Sequence, residues 1–140
     1  MKRISLSALM LPITLFFSSF NLTGGIMMKY KAYTYVDGNN NTYVITSSLI
    51  DYRPVSKEMS SSGEYSGGEP KKKVINQEQF DKIEAIMLLI RKDKTNYIEN
   101  RSMGCGTLYV KGNKKPIFIK SSSKYKSDLE RELQELILGI

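Results

Sequence analysis

Tyr33-Thr34-Tyr35-Val36-Asp37-Gly38-Asn39-Asn40-Asn41-Thr42-Tyr43-Val44-Ile45 reads as two extended segments around a polar reversal. Met28 to Val36 and Thr42 to Tyr52 are rich in Tyr, Val, Ile and Thr, side chains that fit a pleated, half-buried surface. Asp37 to Asn41 holds only Asp, Gly and Asn, and Gly and Asn tolerate the left-handed backbone of a tight turn. The stretch predicts a β-hairpin with a five-residue turn. Taking Thr42 to Tyr52 as one strand puts Tyr43, Ile45, Ser47 and Leu49 on one face and Val44, Thr46, Ser48 and Ile50 on the other. Neither face is cleanly polar, which predicts a central strand covered at least partly on both sides.

From Ser56 to Lys71 the composition turns to Ser, Gly, Glu and Lys, with Tyr65 as the one aromatic residue. Such a run forms neither helix nor strand at ordinary cost, and a connection this long inside a domain is either functional or disordered. It is not a linker, because the segments flanking it are each too small to bury a core. Lys72 to Ile75 predicts a short strand. Asn76 then caps a helix with Gln79 as the reciprocal partner and Ile75 stapled against Phe80. Phe80, Ile83, Ile86, Met87 and Ile90 recur at helical spacing opposite Asp81, Lys82 and Arg91, a core-facing stripe. Asp93 to Met103 reads as a polar connection, and Gly106 to Lys111 with Pro116 to Lys120 as a second hairpin about Gly112-Asn113.

A second helix carries Leu129, Leu133, Leu136, Ile137 and Ile140 on one stripe, started by a Ser127/Glu130 capping box or one turn earlier by Ser123. Amphipathic helices and antiparallel hairpins together predict a two-layer α+β domain. The expected sheet has four or five antiparallel strands in ββ(β)α-ββα order, with both helices on one face.

Residues 1–25 have the three-part grammar of a secretory signal: Met1-Lys2-Arg3 is basic, Ile4 to Phe20 apolar, and Asn21-Leu22-Thr23-Gly24-Gly25 mostly small and polar. A buried N-terminal helix and an uncleaved anchor are the alternatives, but an apolar run of about 17 residues broken by Pro12 is at the short limit for a bilayer. No stable membrane span is expected after cleavage. Residues 26–140 suffice for one domain. The chain carries 21 Lys and Arg against 14 Asp and Glu; removal of Lys2 and Arg3 leaves 19 against 14, a charge of +5. In an exported protein this bias points to anionic glycans, lipid headgroups or an acidic protein, and not to nucleic acid.

The chain has no histidine and one cysteine. Ser-His-Asp and Cys-His nucleophiles, His metal ligands and thiolate zinc sites are thereby excluded, and no cofactor is expected. A carboxylate pair or a Ser-Lys dyad survives; Ser121-Ser122-Ser123-Lys124 and Ser123-Lys124-Tyr125-Lys126 fit the Ser-x-x-Lys spacing. Cys105, between Gly104 and Gly106, is either an exposed thiol that pairs with another chain or a small buried residue on a strand beside glycines that admit a second backbone.

Partner contacts are assigned to two stretches. Tyr65 amid Ser and Gly has the composition of an adaptable contact loop, the alternative being a mobile connection. Ser62-Gly63-Glu64-Tyr65 resembles the Ser-Gly-x-Tyr loop motif of bacterial periplasmic lysozyme inhibitors, and that resemblance implies insertion into a lysozyme cleft. It covers four residues, and those inhibitors are mainly β-structures, whereas this chain devotes its two best-patterned segments to helices. The second stretch holds Lys111, Lys114, Lys115, Lys120, Lys124 and Lys126 without an acidic residue; Lys111, Lys114, Lys115 and Lys120 form a landing patch for an acidic partner or else a solvated strand face. Tyr30, Tyr33, Tyr35 and Tyr43 can form an aromatic ladder across the first hairpin. The expected function is a small exported, non-enzymatic binding protein of the bacterial envelope: an inhibitor, immunity or accessory factor acting on another protein. The alternative is a structural envelope module that binds anionic polymers through the lysine hairpin.

Overall fold

A computed structural model of the chain describes residues 31–139. The signal expected at residues 1–25 lies outside them, as do Tyr30 and Ile140. Seven strands, β1 Tyr33–Val36, β2 Thr42–Ile45, β3 Leu49–Arg53, β4 Lys71–Val74, β5 Tyr97–Ile98, β6 Gly106–Val110 and β7 Ile117–Ile119, combine with two helices, α1 Gln77–Lys92 and α2 Lys124–Leu138. They form one sheet of order β4-β3-β2-β1-β6-β7-β5, antiparallel at every pairing. The class is the α+β expected from sequence, but among the described residues the sheet has seven strands instead of four or five.

Two segments account for the difference. Thr42 to Tyr52 is not one strand: it reverses at Ser47-Ser48, where Thr46 N–H donates to Leu49 O (2.9 Å) and Leu49 N–H to Thr46 Oγ1 (3.1 Å). The reversal pairs Ile45 with Ile50 and Tyr43 with Tyr52, so all four point to the core face. The mixed faces of the unbroken reading were the sign of this turn, because a reversal changes which parity faces inward. The other addition is β5, inside the expected polar connection. Tyr97 pairs with Ile119 and Ile98 with Phe118, and two residues are too few to display a strand period.

In the first hairpin Asp37 N–H donates to Asn41 O (3.0 Å), and Asn40 takes the left-handed conformation with φ 70°. The helix starts follow from side-chain caps. Asn76 accepts from the Gln79 N–H (2.8 Å) while Gln79 Oε1 accepts from the Asn76 N–H (3.0 Å), the expected reciprocal box. Of the two starts considered for α2, Ser123 is the one used, its hydroxyl accepting from Lys126 N–H. That role occupies the serine of one Ser-x-x-Lys match. Hairpins close most of the sheet, but the chain must still travel from edge strand β4 to the opposite edge, β5. Six strand spacings are roughly 29 Å, and α1, at 16 residues, is about 24 Å long; the helix is the crossing.

Both helices cover the face carrying Tyr33 and Tyr35, which project to the same side. Tyr33 donates its hydroxyl to Glu84 Oε1 of α1 and Tyr35 to Glu130 Oε1 of α2, each at 2.7 Å. Glu130 Oε2 accepts from the buried Lys126 Nζ (2.9 Å). Of the expected ladder, Tyr35 and Tyr43 are ring neighbours, and it is Tyr52 and not Tyr33 that extends it, with ring centroids 6.2 and 4.9 Å apart and all three rings buried. The aromatic ladder is thus a core feature. On the opposite face Thr34, Val36, Thr42 and Val44 are half-buried.

Burial pushes the Tyr33 and Tyr52 phenols up to about 12, Tyr33 with help from Glu84. Burial also raises Tyr35 and Tyr43, reinforced by nearby acids. A phenol with a folded pKa above its unfolded value of 10.0 favours folding only while neutral. The stability these phenols contribute is therefore fully present below pH 10 and is lost as pH rises from 10 through about 12. Following phenolate absorbance and far-UV dichroism together, we expect these four tyrosines to ionise only as the fold is lost. Their ionisation at pH 10 with the dichroism intact would contradict the assignment.

Candidate interaction surface

The ladder registers place Val36, Thr42, Arg53, Lys71 and Thr107 at one end of the sheet. Three connections meet there: the 37–41 turn, the 54–70 loop and residues 99–105. The turn is organised by Asp37, whose Oδ1 accepts from the N–H groups of Asn39 (2.8 Å) and Asn41 (2.9 Å). This buried carboxylate is pushed above the ordinary aspartate range by desolvation, with its bonds to Asn41 and Asn39 opposing the shift.

Asn41 carries the fastening from turn to loop. Its Nδ2 donates to Asp37 Oδ2 (2.8 Å) and to the Tyr65 hydroxyl oxygen (2.9 Å), and its Oδ1 accepts from Val55 N–H (3.1 Å). Gly67 N–H then donates to Val55 O (3.1 Å), and Tyr52 donates its hydroxyl to Gly67 O (2.7 Å). The loop backbone passes so close that a Cβ on Gly67 would collide with Asn41 Oδ1. The Ser/Gly loop at 56–71 is therefore moored at Val55, Tyr65 and Gly67.

Between these moorings Lys57–Met59 forms one 3₁₀ turn. Ser62 Oγ accepts from the N–H groups of Glu64 and Tyr65, both at 3.3 Å, and Gly63 supplies φ 69°. Ser62, Gly63, Glu64 and Tyr65 thus make one compact exposed turn. Tyr65 is 36% exposed: its hydroxyl is anchored while part of the ring faces outward. Met59 is 79% exposed and was not singled out from sequence. An open depression of about 330 Å³ runs between the 3₁₀ turn and the returning chain, lined by Val55, Lys57, Glu58 and Glu69 among others.

On the other side of the turn, Arg101 donates to Asn40 Oδ1. Gly38 and Gly104 approach so closely that a Cβ on Gly38 would lie 2.8 Å from Gly104 O, with Gly104 at φ 74°. Cys105 is buried beside these glycines, as the small-residue reading expects, but it lies in the connection just before β6 and not on a strand. Met103, 97% exposed, projects from this connection. A side chain this adaptable, left in water, is a common feature of binding surfaces, and nothing local in the sequence marked it.

The lysine stretch is divided. Lys111, Lys114 and Lys115 are exposed around the β6–β7 turn, where Gly112 has φ 96°; this turn lies at the far end of the sheet from the Ser/Gly loop. Lys120 leaves β7 at the near end, its N–H donating to Asn96 O (2.9 Å). Five residue steps, through β7, separate it from Lys115, about 16 Å. Lys126 is spent on Glu130. The four lysines assigned from sequence therefore form a cluster of three and an outlier. Among the described residues no group of three or more Cys, Asp and Glu side chains is placed to hold a metal ion.

Comparison with protein families, with curated proteins and with solved structures returns no match to this chain, so the site stands on its own geometry. Asn41→Ala removes three bonds and strands the Val55 N–H and Asp37 Oδ2 in a buried place. At about 1 to 3 kcal/mol for each orphaned group, the melting temperature should fall by on the order of 10 °C. Limited proteolysis should then cut first within residues 56–70. An unchanged cleavage pattern and melting temperature would show that the loop is held some other way.

Proposed function

We propose that this chain is a small exported, non-enzymatic binding protein of the bacterial envelope, an inhibitor, immunity or accessory factor that engages another protein through the Ser/Gly loop end of its sheet. The observation carrying the reading is a long loop held in one conformation that nevertheless turns Met59 and part of Tyr65 to solvent. A solvated connection gains nothing from exposed apolar side chains. A contact loop gains twice, because fixing it before binding removes an ordering cost and its apolar tips supply the contact energy. The leader-like residues 1–25 support export, and no helix among the described residues is long and apolar enough to cross a membrane. The absence of histidine supports a non-enzymatic role.

Binding of anionic polymers remains the second reading, favoured by the exposed cluster Lys111, Lys114 and Lys115. The position of Lys120, away from the other three, leaves it less charge than the expected patch of four.

The two readings separate on one set of variants, using the exported protein to capture partners from an envelope extract. Tyr65→Ala and Met59→Ala should each weaken capture of the same protein by about 1 to 3 kcal/mol. Met59→Ala should leave melting unchanged, since an exposed side chain carries little stability. Capture that ignores both substitutions but disappears on Lys114→Glu with Lys115→Glu, or with added salt, would overturn the loop reading in favour of the lysine cluster.

A further inference from the structure

Strand β4 buries none of its four side chains, which is unusual for a member of a packed sheet. Among the described residues it ends the strand order, and no strand among them pairs with the other side of its backbone. The phase of the ladder says which groups are free. Thr46 N–H donates to Leu49 O (2.9 Å), and Ile75 N–H donates to Ser48 O (3.0 Å). Bonding direction alternates along an antiparallel strand, so Leu49 and Asp51 bond toward β2 while Ile50 and Tyr52 bond toward β4. Their register partners on β4 are Lys73 and Lys71. Lys72 and Val74 therefore aim their N–H and C=O groups away from the sheet.

The side chains say which strand could use those groups. Lys71, Lys72 and Lys73 are exposed, and no carboxylate among the described residues comes within ion-pairing distance of them. Edge lysines commonly guard against unwanted pairing. A guard of one sign also selects: a neutral or basic strand would crowd or repel three ammonium groups, whereas an acidic one neutralises them. The same repulsion opposes pairing of β4 with a second copy of itself. The edge also follows the moored loop directly, since residues 54–70 deliver the chain into Lys71.

We propose that the free edge of β4 receives an extended, acid-rich segment of a partner protein as an added antiparallel or parallel strand. The proposal deepens the binding-protein reading by giving the partner's chemistry, and relies on that reading for there being a partner. Backbone bonds to Lys72 and Val74 hold the segment; carboxylates on its two faces meet Lys71 and Lys73 on one side and Lys72 on the other. Val74, 76% exposed, offers an apolar contact at the strand's end. This is strand addition, with affinity from main-chain bonds and specificity from alternate side chains.

The test uses a capped six-residue peptide of alternating Glu and Val, its Lys-for-Glu counterpart, and amide exchange measured residue by residue. At a Glu-peptide concentration of about ten times its Kd, exchange at the Lys72 and Val74 amides should slow about tenfold. The Lys71 and Lys73 amides, already bonded to β3, should not change, and the Lys peptide should have no effect. Lys72→Pro removes an outward donor and no ladder bond, a substitution an edge strand accepts, so melting should be kept while peptide binding is lost. Lys71→Glu with Lys73→Glu should weaken binding about tenfold, the equivalent of about 1.4 kcal/mol. Equal binding of both peptides, unimpaired binding to Lys72→Pro, or concentration-dependent protection of Lys72 without peptide would each overturn the proposal, the last by assigning the edge to a second copy. Docking at β4 alongside partner capture indifferent to Tyr65→Ala and Met59→Ala would sink the loop reading and leave this one standing.

Discussion

Asn41 uses both of its side-chain N–H groups and its carbonyl oxygen within a few ångströms of the first hairpin turn. It is 4% exposed, so each of those bonds replaces a contact with water that burial took away. One arm holds Asp37, which organises the turn. Another meets Tyr65, and the third catches the chain at Val55 as it leaves β3. No other side chain in the described residues ties the hairpin to the loop in this way. With no side chain of its own in the core, β4 is positioned by its ladder to β3, by the close approach of α2 and by where the loop releases it.

The helical layer depends on a different use of tyrosine. Tyr33 and Tyr35 lay their rings in the core and direct their hydroxyls to one glutamate on each helix. A buried phenol needs a partner, and here the partners also set where α1 and α2 sit. Lys82 of α1 reaches Glu132 of α2 at 2.6 Å, an exposed ammonium on a buried carboxylate, and the attraction is largely offset by the cost of burying that charge. Apolar burial of Ile83, Met87 and Ile90 with Leu129 and Leu133 contributes most of the docking energy, at roughly 1.5 to 3 kcal/mol per side chain.

Elements with their own periodicity were legible in the chain. The first hairpin, both helices, the capping box at Asn76 and the second hairpin all follow from residues close in sequence. The reversal at Ser47-Ser48 left a legible trace, two equally apolar faces, that admitted a second interpretation. Strand β5 left none, because Tyr97 and Ile98 are extended through pairing with β7 rather than through local preference. The candidate surface divides the same way. Ser62, Gly63, Glu64 and Tyr65 stood out by composition, but Asn41 is one asparagine among three in a row until residues 55 and 65 are brought to it. Lys120 was grouped with Lys111, Lys114 and Lys115 because sequence adjacency does not report which end of a strand a residue occupies.

The central claim is that the Ser/Gly loop is a fixed part of the domain, fastened through Asn41, and not a mobile tether. Native-state amide exchange tests it most directly, since protection measures the free energy of opening for each bond. The account predicts that the Val55 and Gly67 amides, bonded to Asn41 Oδ1 and Val55 O, are strongly protected and open together. It also predicts that the exposed amides of Ser66 and Glu69 exchange freely. Exchange of Val55 and Gly67 at the rate of an unstructured chain would contradict it.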